Sequence, residues 1–350
     1  MTKLIVGGTF DRAGGKASFM IAQLWMGLGD GWECINGGSI ETLKLFSPKG
    51  IKVLIWMPNI SNEEDKIVDT LKKINPSILL IQSKRSVDKK YSDFDVIGRL
   101  LKSHSALGIK IEITDGEYRF KLLDPLGNNW GYSRSLFDLS YPIQKRVDRL
   151  LSLTRVGSIR KDSLNLQGKV PEDFLEVVKE YGARFSKFVM AVNPNRFLGN
   201  ASTRCAKGFP AIRMQSCILV TRRNVDKETL SEEDFVAVSN VLDNAVHYVG
   251  PNKPSVDTPI QIKLFELYSN VNYIIHGHAY IANAPFTESK IPCGYLEEYE
   301  EIYKLFPGRG MTNFSVNLSG HGCLILANDL EYLRNKMDKL YGLNTVTALK

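Results

Sequence analysis

Residues 253–281 read KPSVDTPIQIKLFELYSNVNYIIHGHAYI, a polar turn followed by an apolar helix and then an apolar strand. Two of the five histidines in the chain, His276 and His278, lie one residue apart in that strand. Because side chains alternate along a strand, both imidazoles project from one face, about 7 Å apart. Two neutral imidazoles on one face can share a divalent metal ion. The short motif is also compatible with two unrelated histidines of the surface or core.

A third histidine and an acidic residue would complete a metal site. His321 lies in Ser-Gly-His-Gly, where glycines on both sides let the backbone approach closely, and it is the predicted third ligand. Asp257 precedes Thr258-Pro259 and has two interpretations that the sequence leaves open. It is the N-cap of the following helix, or a carboxylate that moves protons, and one residue can do both.

The whole stretch resembles the signature of the class II aldolase/adducin superfamily, and KPSxDTP followed by HxH is most similar to L-ribulose-5-phosphate 4-epimerase. Asp257 precedes His276 by the spacing at which that family places its acidic active-site residue. Gly199-Asn200-Ala201-Ser202 resembles the family's GNxS loop, and Ile291-Pro292-Cys293 resembles an epimerase IPC. Fuculose-phosphate aldolase relatives carry glutamate where this chain has Asp257. The resemblance covers roughly residues 171–342.

The resemblance implies a set of site residues and a cofactor. The cofactor would be a divalent metal ion, zinc first and manganese second, because imidazole-rich sites suit zinc. Arg223 stands where the family has a small hydroxyl residue, so its longer side chain would contact the anionic group of the substrate. The implied roles are metal binding by His276, His278 and His321, catalysis by Asp257 and Tyr341, and anion binding by Asn200, Arg223 and Ser255.

The function that the resemblance implies is a metal-dependent aldolase, and therefore a lyase, or an epimerase. Its substrate would be a phosphorylated or otherwise anionic sugar, and the reaction would pass through an enediolate that a Lewis acid stabilises. Members of the family are cyclic tetramers with sites at subunit contacts, so a homo-oligomer is expected. Two alternatives stay open: a non-catalytic, adducin-like interaction module, and a nucleotide-dependent activity in the first domain.

The first half predicts a different domain of the α/β class. Apolar strands near residues 3–7, 52–59 and 77–82 alternate with helices, which favours a Rossmann-like parallel sheet over residues 1–165. Residues 166–350 are then the class II aldolase-like α/β/α domain. A helix is expected at 62–73, and a hairpin with its turn at Asp115-Gly116.

Glycines flank the first turn and suggest a phosphate or nucleotide site. Gly7-Gly8-Thr9 and Gly14-Gly15-Lys16 follow the first strand and precede a helix, although the spacing is neither GxGxxG nor a P-loop. A plain turn is an equal alternative. The loop is faintly similar to the nucleotide-binding loop of phosphopantothenoylcysteine synthetase, but the first half is assigned to no family. Asp11, Arg12 and Asn59 are further candidates to face a ligand.

The composition of the chain limits the classes of protein and of binding partner that the sequence allows. Of the 350 residues, 43% are hydrophobic and 24% charged, as expected of a globular protein, and no apolar run is long enough to cross a bilayer. The net charge of +7 favours an anionic small substrate over nucleic acid, since the chain has no RNA-binding signature and no long basic tail. Five scattered cysteines without a CxxC motif predict reduced thiols and a cytoplasmic protein.

Overall fold

The structure, a computed structural model, contains two compact units, Met1–Ser152 and Leu153–Lys350. The sequence-based boundary between residues 165 and 166 lies later in the chain. The difference arises because residues 157–160 form a strand of the sheet in the second unit. The residues that the structure describes are 2–7, 16–35, 50–57, 73–88, 90–164, 168–188, 197, 199–205, 217–242 and 245–342.

The first unit contains a seven-stranded sheet in the order β2-β1-β3-β4-β5-β6-β7. Its strands are β1 (Thr2–Val6), β2 (Glu33–Ile35), β3 (Ile51–Trp56), β4 (Leu79–Val87), β5 (Leu107–Thr114), β6 (Glu117–Leu123) and β7 (Asn129–Ser133). Strands β1 to β5 pair in parallel, whereas β6 and β7 are antiparallel. Parallel strands are buried on both faces, which explains the continuous apolar runs that predicted them. The prediction of parallel strands is confirmed for β1 to β5.

The hairpin between β5 and β6 is confirmed as predicted. Thr114 pairs with Glu117, so the connection is a turn of only Asp115 and Gly116. Both turn residues have positive φ, 53° and 79°. Two-residue hairpin turns of this kind require positive φ at both central positions, which Asp-Gly adopts readily.

Three described helices accompany this sheet: α1 (Lys16–Leu28), α2 (Asp93–Lys102) and α3 (Leu136–Ser152). Helix α2 begins after Ser92, whose hydroxyl accepts a hydrogen bond from the Asp95 backbone while the Asp95 carboxylate accepts one from the Ser92 backbone. This capping box satisfies two N–H groups at the helix start. The helix predicted at 62–73 lies almost wholly outside the described residues. Among those residues, no helix is both long and apolar enough to span a bilayer.

The second unit contains an eight-stranded sheet in the order β15-β16-β13-β9-β10-β11-β12-β8 and a two-stranded sheet of β14 and β17. The pairs in the larger sheet are antiparallel except for β12 with β8. The strands are β8 (Gly157–Arg160), β9 (Asn200–Arg204), β10 (Ile218–Thr221), β11 (Phe235–Leu242), β12 (Ala245–Tyr248), β13 (Tyr273–Gly277), β14 (Ala279–Ile281), β15 (Phe314–Leu318), β16 (Gly322–Ala327) and β17 (Leu340–Gly342).

Helices cover both faces of the larger sheet. They are α4 (Glu172–Phe185), α5 (Thr258–Leu267), α6 (Glu297–Leu305) and α7 (Leu330–Met337). Ile274 of β13 belongs to one core cluster with residues of α5 and α6, and its neighbour Ile275 belongs to the other with residues of α4 and α7. Since adjacent strand residues face opposite sides, the sheet lies between two helical layers. The second unit therefore has the α/β/α arrangement that was predicted.

Candidate metal and carboxylate site

The three predicted histidines come together in the second unit. Their ring centroids are 5.1 Å apart for His276 and His278, 4.6 Å for His276 and His321, and 5.2 Å for His278 and His321. All three side chains are buried. One ring nitrogen from each lies within 4.8 Å of the others, which is close enough to hold one ion. The pairing of β13 with β16 brings the histidines together, because it places His276 opposite Leu324, which is close in the chain to His321.

His276 directs one ring nitrogen into the cluster. Its Nδ1 lies 2.9 Å from the backbone carbonyl of Cys323, so Nδ1 carries the proton and Nε2 has the lone pair. Nε2 is buried and has no hydrogen-bond partner among the described residues. Burial, followed by the nearby charge of His321, lowers the pKa of His276 to about 4. A buried, neutral imidazole with an unused lone pair has the form of a metal ligand.

His321 is oriented by two neighbours. Its Nδ1 lies 2.7 Å from the carboxylate of Glu298 on α6, and its Nε2 lies 2.8 Å from Sγ of Cys293. Burial alone lowers the pKa of His321, but Cys293 and Glu298 outweigh burial and raise it well above its usual value. A carboxylate on Nδ1 fixes the ring so that Nε2 points to the cluster, as in carboxylate–histidine–metal arrangements.

Glycines beside the histidines make room for this packing. A Cβ on Gly277, between His276 and His278, would lie 2.0 Å from the ring of Phe185 on α4. Gly322 has φ 144°, and a Cβ there would lie 2.1 Å from the carbonyl oxygen of Gly277. The close backbone approach predicted around His321 is therefore present. Strand β13, which ends at Gly277, and strand β16, which begins at Gly322, approach this closely only with glycine at these positions.

Asp257 lies at the entrance to α5, beside the histidines. It has the N-cap position, but its side chain makes no capping hydrogen bond to the described backbone. Instead Oδ2 accepts a 2.8 Å hydrogen bond from Asn200 and lies 3.9 Å from Nε2 of His276, whereas Oδ1 is buried without a partner among the described residues. The carboxylate thus faces the histidines rather than the helix backbone.

The three predicted anion-binding residues lie around this carboxylate but differ in their solvent exposure and hydrogen-bond partners. Asn200 is opposite His276 in the sheet and donates to Asp257, while its carbonyl oxygen accepts from Gln261. Ser255 is buried, and its hydroxyl accepts a 3.4 Å hydrogen bond from the backbone of Asp257. Arg223 is exposed, and its Nε donates to the carbonyl of Pro254 at 2.8 Å. Of the three, only Arg223 is charged, and only Arg223 is exposed as a whole residue.

Residues that were not predicted complete the surroundings. Cys293, Asp257 and His321 form a second group that could hold a metal ion, since one candidate ligand atom of each lies within 4.8 Å of the others. Glu298 holds His321, and Gln261 holds Asn200. Burial is the first cause that lowers the pKa of Arg223, and the positive charge of nearby Arg155 is the second. Cys293 was visible in the IPC motif, but no sequence signal distinguished Glu298 or Arg155.

Tyr341 pairs with another tyrosine, and most candidates of the first half are not described. Tyr341 is on β17 opposite Tyr280, and the two ring centroids are 5.8 Å apart. The catalytic role of Tyr341 stays a prediction. Of the first-half candidates, those outside the described residues are Gly8, Thr9, Asp11, Arg12, Gly14, Gly15, Asn59 and the side chain of Lys16.

Comparison with known proteins places residues of this site in a named family. The family model described as Class II Aldolase and Adducin N-terminal domain matches residues 194–307, which include Asp257, His276 and His278. A methylthioribulose-1-phosphate dehydratase from Acidiphilium cryptum (strain JF-5) is 32% identical over 110 residues. The predicted resemblance of the C-terminal half to the class II aldolase/adducin superfamily is therefore confirmed. The match to the dehydratase covers 31% of this chain and 46% of that protein, so the chain spans about half the length of this relative.

Two solved structures align with parts of the chain. The N-terminal class II aldolase domain of a conserved protein from Thermoplasma acidophilum is 16% identical, with a TM-score of 0.31 over 51% of this chain and 95% of that chain. The DNA/pantothenate metabolism flavoprotein from Streptococcus pneumoniae is 14% identical, with a TM-score of 0.31 over 43% of this chain and 99% of that chain.

Proposed function

We propose that this protein is a divalent-metal-dependent enzyme that acts on a phosphorylated or otherwise anionic sugar, as a lyase or an epimerase. The observation that carries the proposal is the unpartnered, buried Nε2 of His276, which faces His278 and His321 with the carboxylate of Asp257 3.9 Å away. A scaffold protein has no need for an orphaned imidazole nitrogen in its core, because an unsatisfied buried polar atom is destabilising. The adducin-like, non-catalytic alternative is therefore disfavoured.

The three histidines would hold the ion, and zinc fits an all-imidazole donor set better than magnesium or calcium does. When bound, the ion would act as a Lewis acid that stabilises negative charge developing on the substrate's oxygens. Glu298 keeps the His321 ring in place through Nδ1, and the Cys323 carbonyl does the same for His276. The Cys323 contact leaves Nε2 of His276 as a free donor, whereas Nε2 of His321 lies 2.8 Å from Sγ of Cys293. Manganese remains the second choice of metal.

Asp257 is the residue proposed to carry protons. Its Oδ2 is held by Asn200, so the carboxylate is fixed, while Oδ1 is left without a partner among the described residues. A fixed carboxylate with one free oxygen can take a proton from a carbon or hydroxyl next to a carbonyl and return it. Aldol cleavage, epimerisation and loss of water all need such a step. The dehydratase relative supports a lyase, and water loss therefore joins the reactions to be tested.

The anionic group of the substrate is proposed to bind near Arg223, with Arg155 as a second cation. Burial, followed by the positive charge of Arg155, lowers the pKa of Arg223, and a bound anion would offset that positive charge. A guanidinium can grip a phosphate or carboxylate through two hydrogen bonds. Ser255 lies in the same turn as Pro254, whose carbonyl Arg223 contacts, and is placed to contribute a hydroxyl.

Two finer proposals concern the rest of the molecule. The first unit is proposed to be Rossmann-like, which its parallel β1 to β5 support, with a phosphate or nucleotide at the carboxyl ends of β1 and β3. The protein is proposed to be a homo-oligomer, in line with the family. Light scattering that gives a monomer at micromolar concentration would contradict the oligomer.

The experiment that tests the proposed function measures metal and turnover together. Purified protein is analysed for bound metal and then offered a panel of pentose and hexose phosphates, including a 1-phosphate ketose. Epimerisation, retro-aldol cleavage and water loss are followed separately. Stoichiometric zinc or manganese with turnover of at least one substrate is expected. Protein that binds no divalent metal, even when metal is added in excess, would overturn the proposal.

A further inference from the structure

Cys205 and Cys217 face each other at the ends of two neighbouring strands. The register of β9 and β10 pairs Arg204 with Ile218. The backbone N–H of Cys205 donates a 3.2 Å hydrogen bond to the carbonyl of Cys217, so the two cysteines form the next pair along the ladder. Directly opposite residues of antiparallel strands project their side chains from the same face. The two sulfurs are therefore presented side by side.

The backbone spacing suits a covalent bond between them. Residues of a hydrogen-bonded antiparallel pair have Cα atoms about 5.5 Å apart. Disulfides bridge Cα atoms roughly 4.4–6.8 Å apart, most often near 5.5–6 Å. The usual spacing of such a pair therefore falls within the range that a disulfide bridges. Glycine at position 168 leaves space here, because a Cβ on Gly168 would lie 3.0 Å from Sγ of Cys205.

The thiols interact with each other and are accessible. The interaction with Cys217 raises the pKa of Cys205, and the interaction with Cys205 lowers the pKa of Cys217. Both residues are half-buried, so a small reagent can reach them, whereas Cys323 is fully buried. A thiol whose pKa is lowered by its neighbour is the better nucleophile in thiol–disulfide exchange at neutral pH.

We propose that Cys205 and Cys217 are a dithiol that a small-molecule disulfide oxidises to a cross-strand disulfide. The Cys217 thiolate attacks one sulfur of the oxidant, forming a mixed disulfide and releasing one small thiol. The Cys205 thiolate then attacks the Cys217 sulfur, closes the protein disulfide and releases the second small thiol. The protein loses two electrons and two protons, and the two released thiols carry them. The bond joins β9 to β10 covalently and does not use the histidine cluster.

Peptide mapping of the intact, native protein tests this directly. The protein is incubated with oxidised glutathione, remaining thiols are alkylated, and it is digested with trypsin without reduction. Cleavage after Arg204, Lys207, Arg213 and Arg222 puts the two cysteines on separate peptides, 205–207 and 214–222. We expect these peptides to be linked to each other, and to separate after reduction. Oxidised protein should also melt at a higher temperature than reduced protein, because a cross-link restricts the unfolded chain.

Two variants serve as matched controls. Cys217→Ser should lose both the linked peptide and the shift in melting temperature, whereas Cys34→Ser, in the first unit, should keep both. Recovery of peptides 205–207 and 214–222 as separate glutathione adducts, or as separate alkylated peptides, would overturn the proposal. Linkage of either peptide to a different cysteine would overturn it as well.

Discussion

The side-chain amide of Asn200 donates a 2.8 Å hydrogen bond to Oδ2 of Asp257, the carboxylate oxygen that lies 3.9 Å from Nε2 of His276. Gln261 in turn donates to the carbonyl oxygen of Asn200. This chain of contacts turns the carboxylate away from the start of α5 and toward the histidines. Asn200 therefore positions Asp257 in this structure, and its predicted contact with a substrate anion stays a prediction.

Asp257→Asn should abolish most turnover without releasing metal or substrate. The amide keeps the size of the carboxylate and its place beside Asn200, but it cannot accept and return a proton. General acid–base groups contribute roughly 10²- to 10⁴-fold, so kcat should fall by that factor while KM changes little. Steady-state kinetics and metal analysis of the same samples provide the measurement. Full turnover in Asp257→Asn would show that the carboxylate does not transfer protons and that Asp257 only occupies the N-cap position.

Replacement of any one of His276, His278 or His321 by alanine should reduce the bound metal, and the triple variant should hold none. Each change removes one of three imidazole donors, and the remaining two cannot compete with water and buffer for the ion. Elemental analysis after dialysis against a chelator measures the stoichiometry. His104→Asn is the matched control, since His104 occupies a turn of the first unit with positive φ, which asparagine tolerates. Equal metal in the wild type and the triple variant would exclude the cluster as the site.

The histidine cluster was predictable because its pattern is local. The sequence predicted an HxH on one face of an apolar strand, whereas β13 ends at Gly277 and His278 follows it. A histidine between glycines marks a close backbone approach. The Asp115-Gly116 turn was predictable for the same reason, since two residues alone set its geometry. In each case the signal comes from neighbours in the chain, although His321, 43 residues beyond His278, joins the cluster only through the pairing of β13 with β16.

The surroundings of the cluster were not predictable, because they depend on contacts between distant segments. Glu298 reaches His321 only once α6 has packed on the sheet, and Arg155 approaches Arg223 only in the folded unit. The boundary at residue 165 followed a glycine and missed β8, a four-residue, largely exposed strand with little apolar signal. Short strands that join a sheet at its edge are specified by their partners as much as by their own sequence.

Gly277→Ala should destabilise the second unit. The added Cβ would lie 2.0 Å from the ring of Phe185, so α4 or β13 must shift. Overpacking of this kind typically costs about 1–3 kcal/mol, and the histidines on either side should lose metal affinity as the strand moves. Thermal and urea unfolding give the measurement. Gly157→Ala is the matched control, because nothing lies within 4 Å of a Cβ there. Equal stability of the two variants would contradict the packing argument.

Lys227→Met should raise stability at pH 7, and the gain should shrink as the pH rises. Burial lowers the pKa of Lys227 from 10.5 to about 8, despite the opposing charge of Asp226. The unfolded chain therefore binds this proton more tightly than the folded protein does, so protonation of Lys227 favours unfolding. As the pH rises from 8 to 10.5 the proton is lost and the destabilisation by Lys227 disappears. At pH 7 the cost of the buried charge is at most about 3 kcal/mol.

Urea unfolding of wild type and Lys227→Met at pH 7, 9 and 10 measures this difference. Lys263→Met is the control, because Lys263 forms a partly exposed ion pair with Glu266, and surface pairs contribute little. Its difference from wild type should not vary over the same pH range. A constant difference for Lys227→Met would mean that the ammonium group is not destabilised in the folded protein.

Arg223→Ala should weaken the binding of an anionic substrate, whereas Arg222→Ala should not. The two arginines are adjacent in sequence but serve different ends: Nε of Arg222 donates to Asp234 at 2.7 Å, while Arg223 contacts the carbonyl of Pro254 and lies near Arg155. Loss of a charge-assisted contact costs about 1.5–3 kcal/mol, or roughly ten- to a hundredfold in affinity. Calorimetric titration of the metal-loaded protein with sugar phosphates measures it, at two salt concentrations because exposed charges are screened. If Arg223→Ala binds every sugar phosphate as tightly as Arg222→Ala does, the anion is held elsewhere.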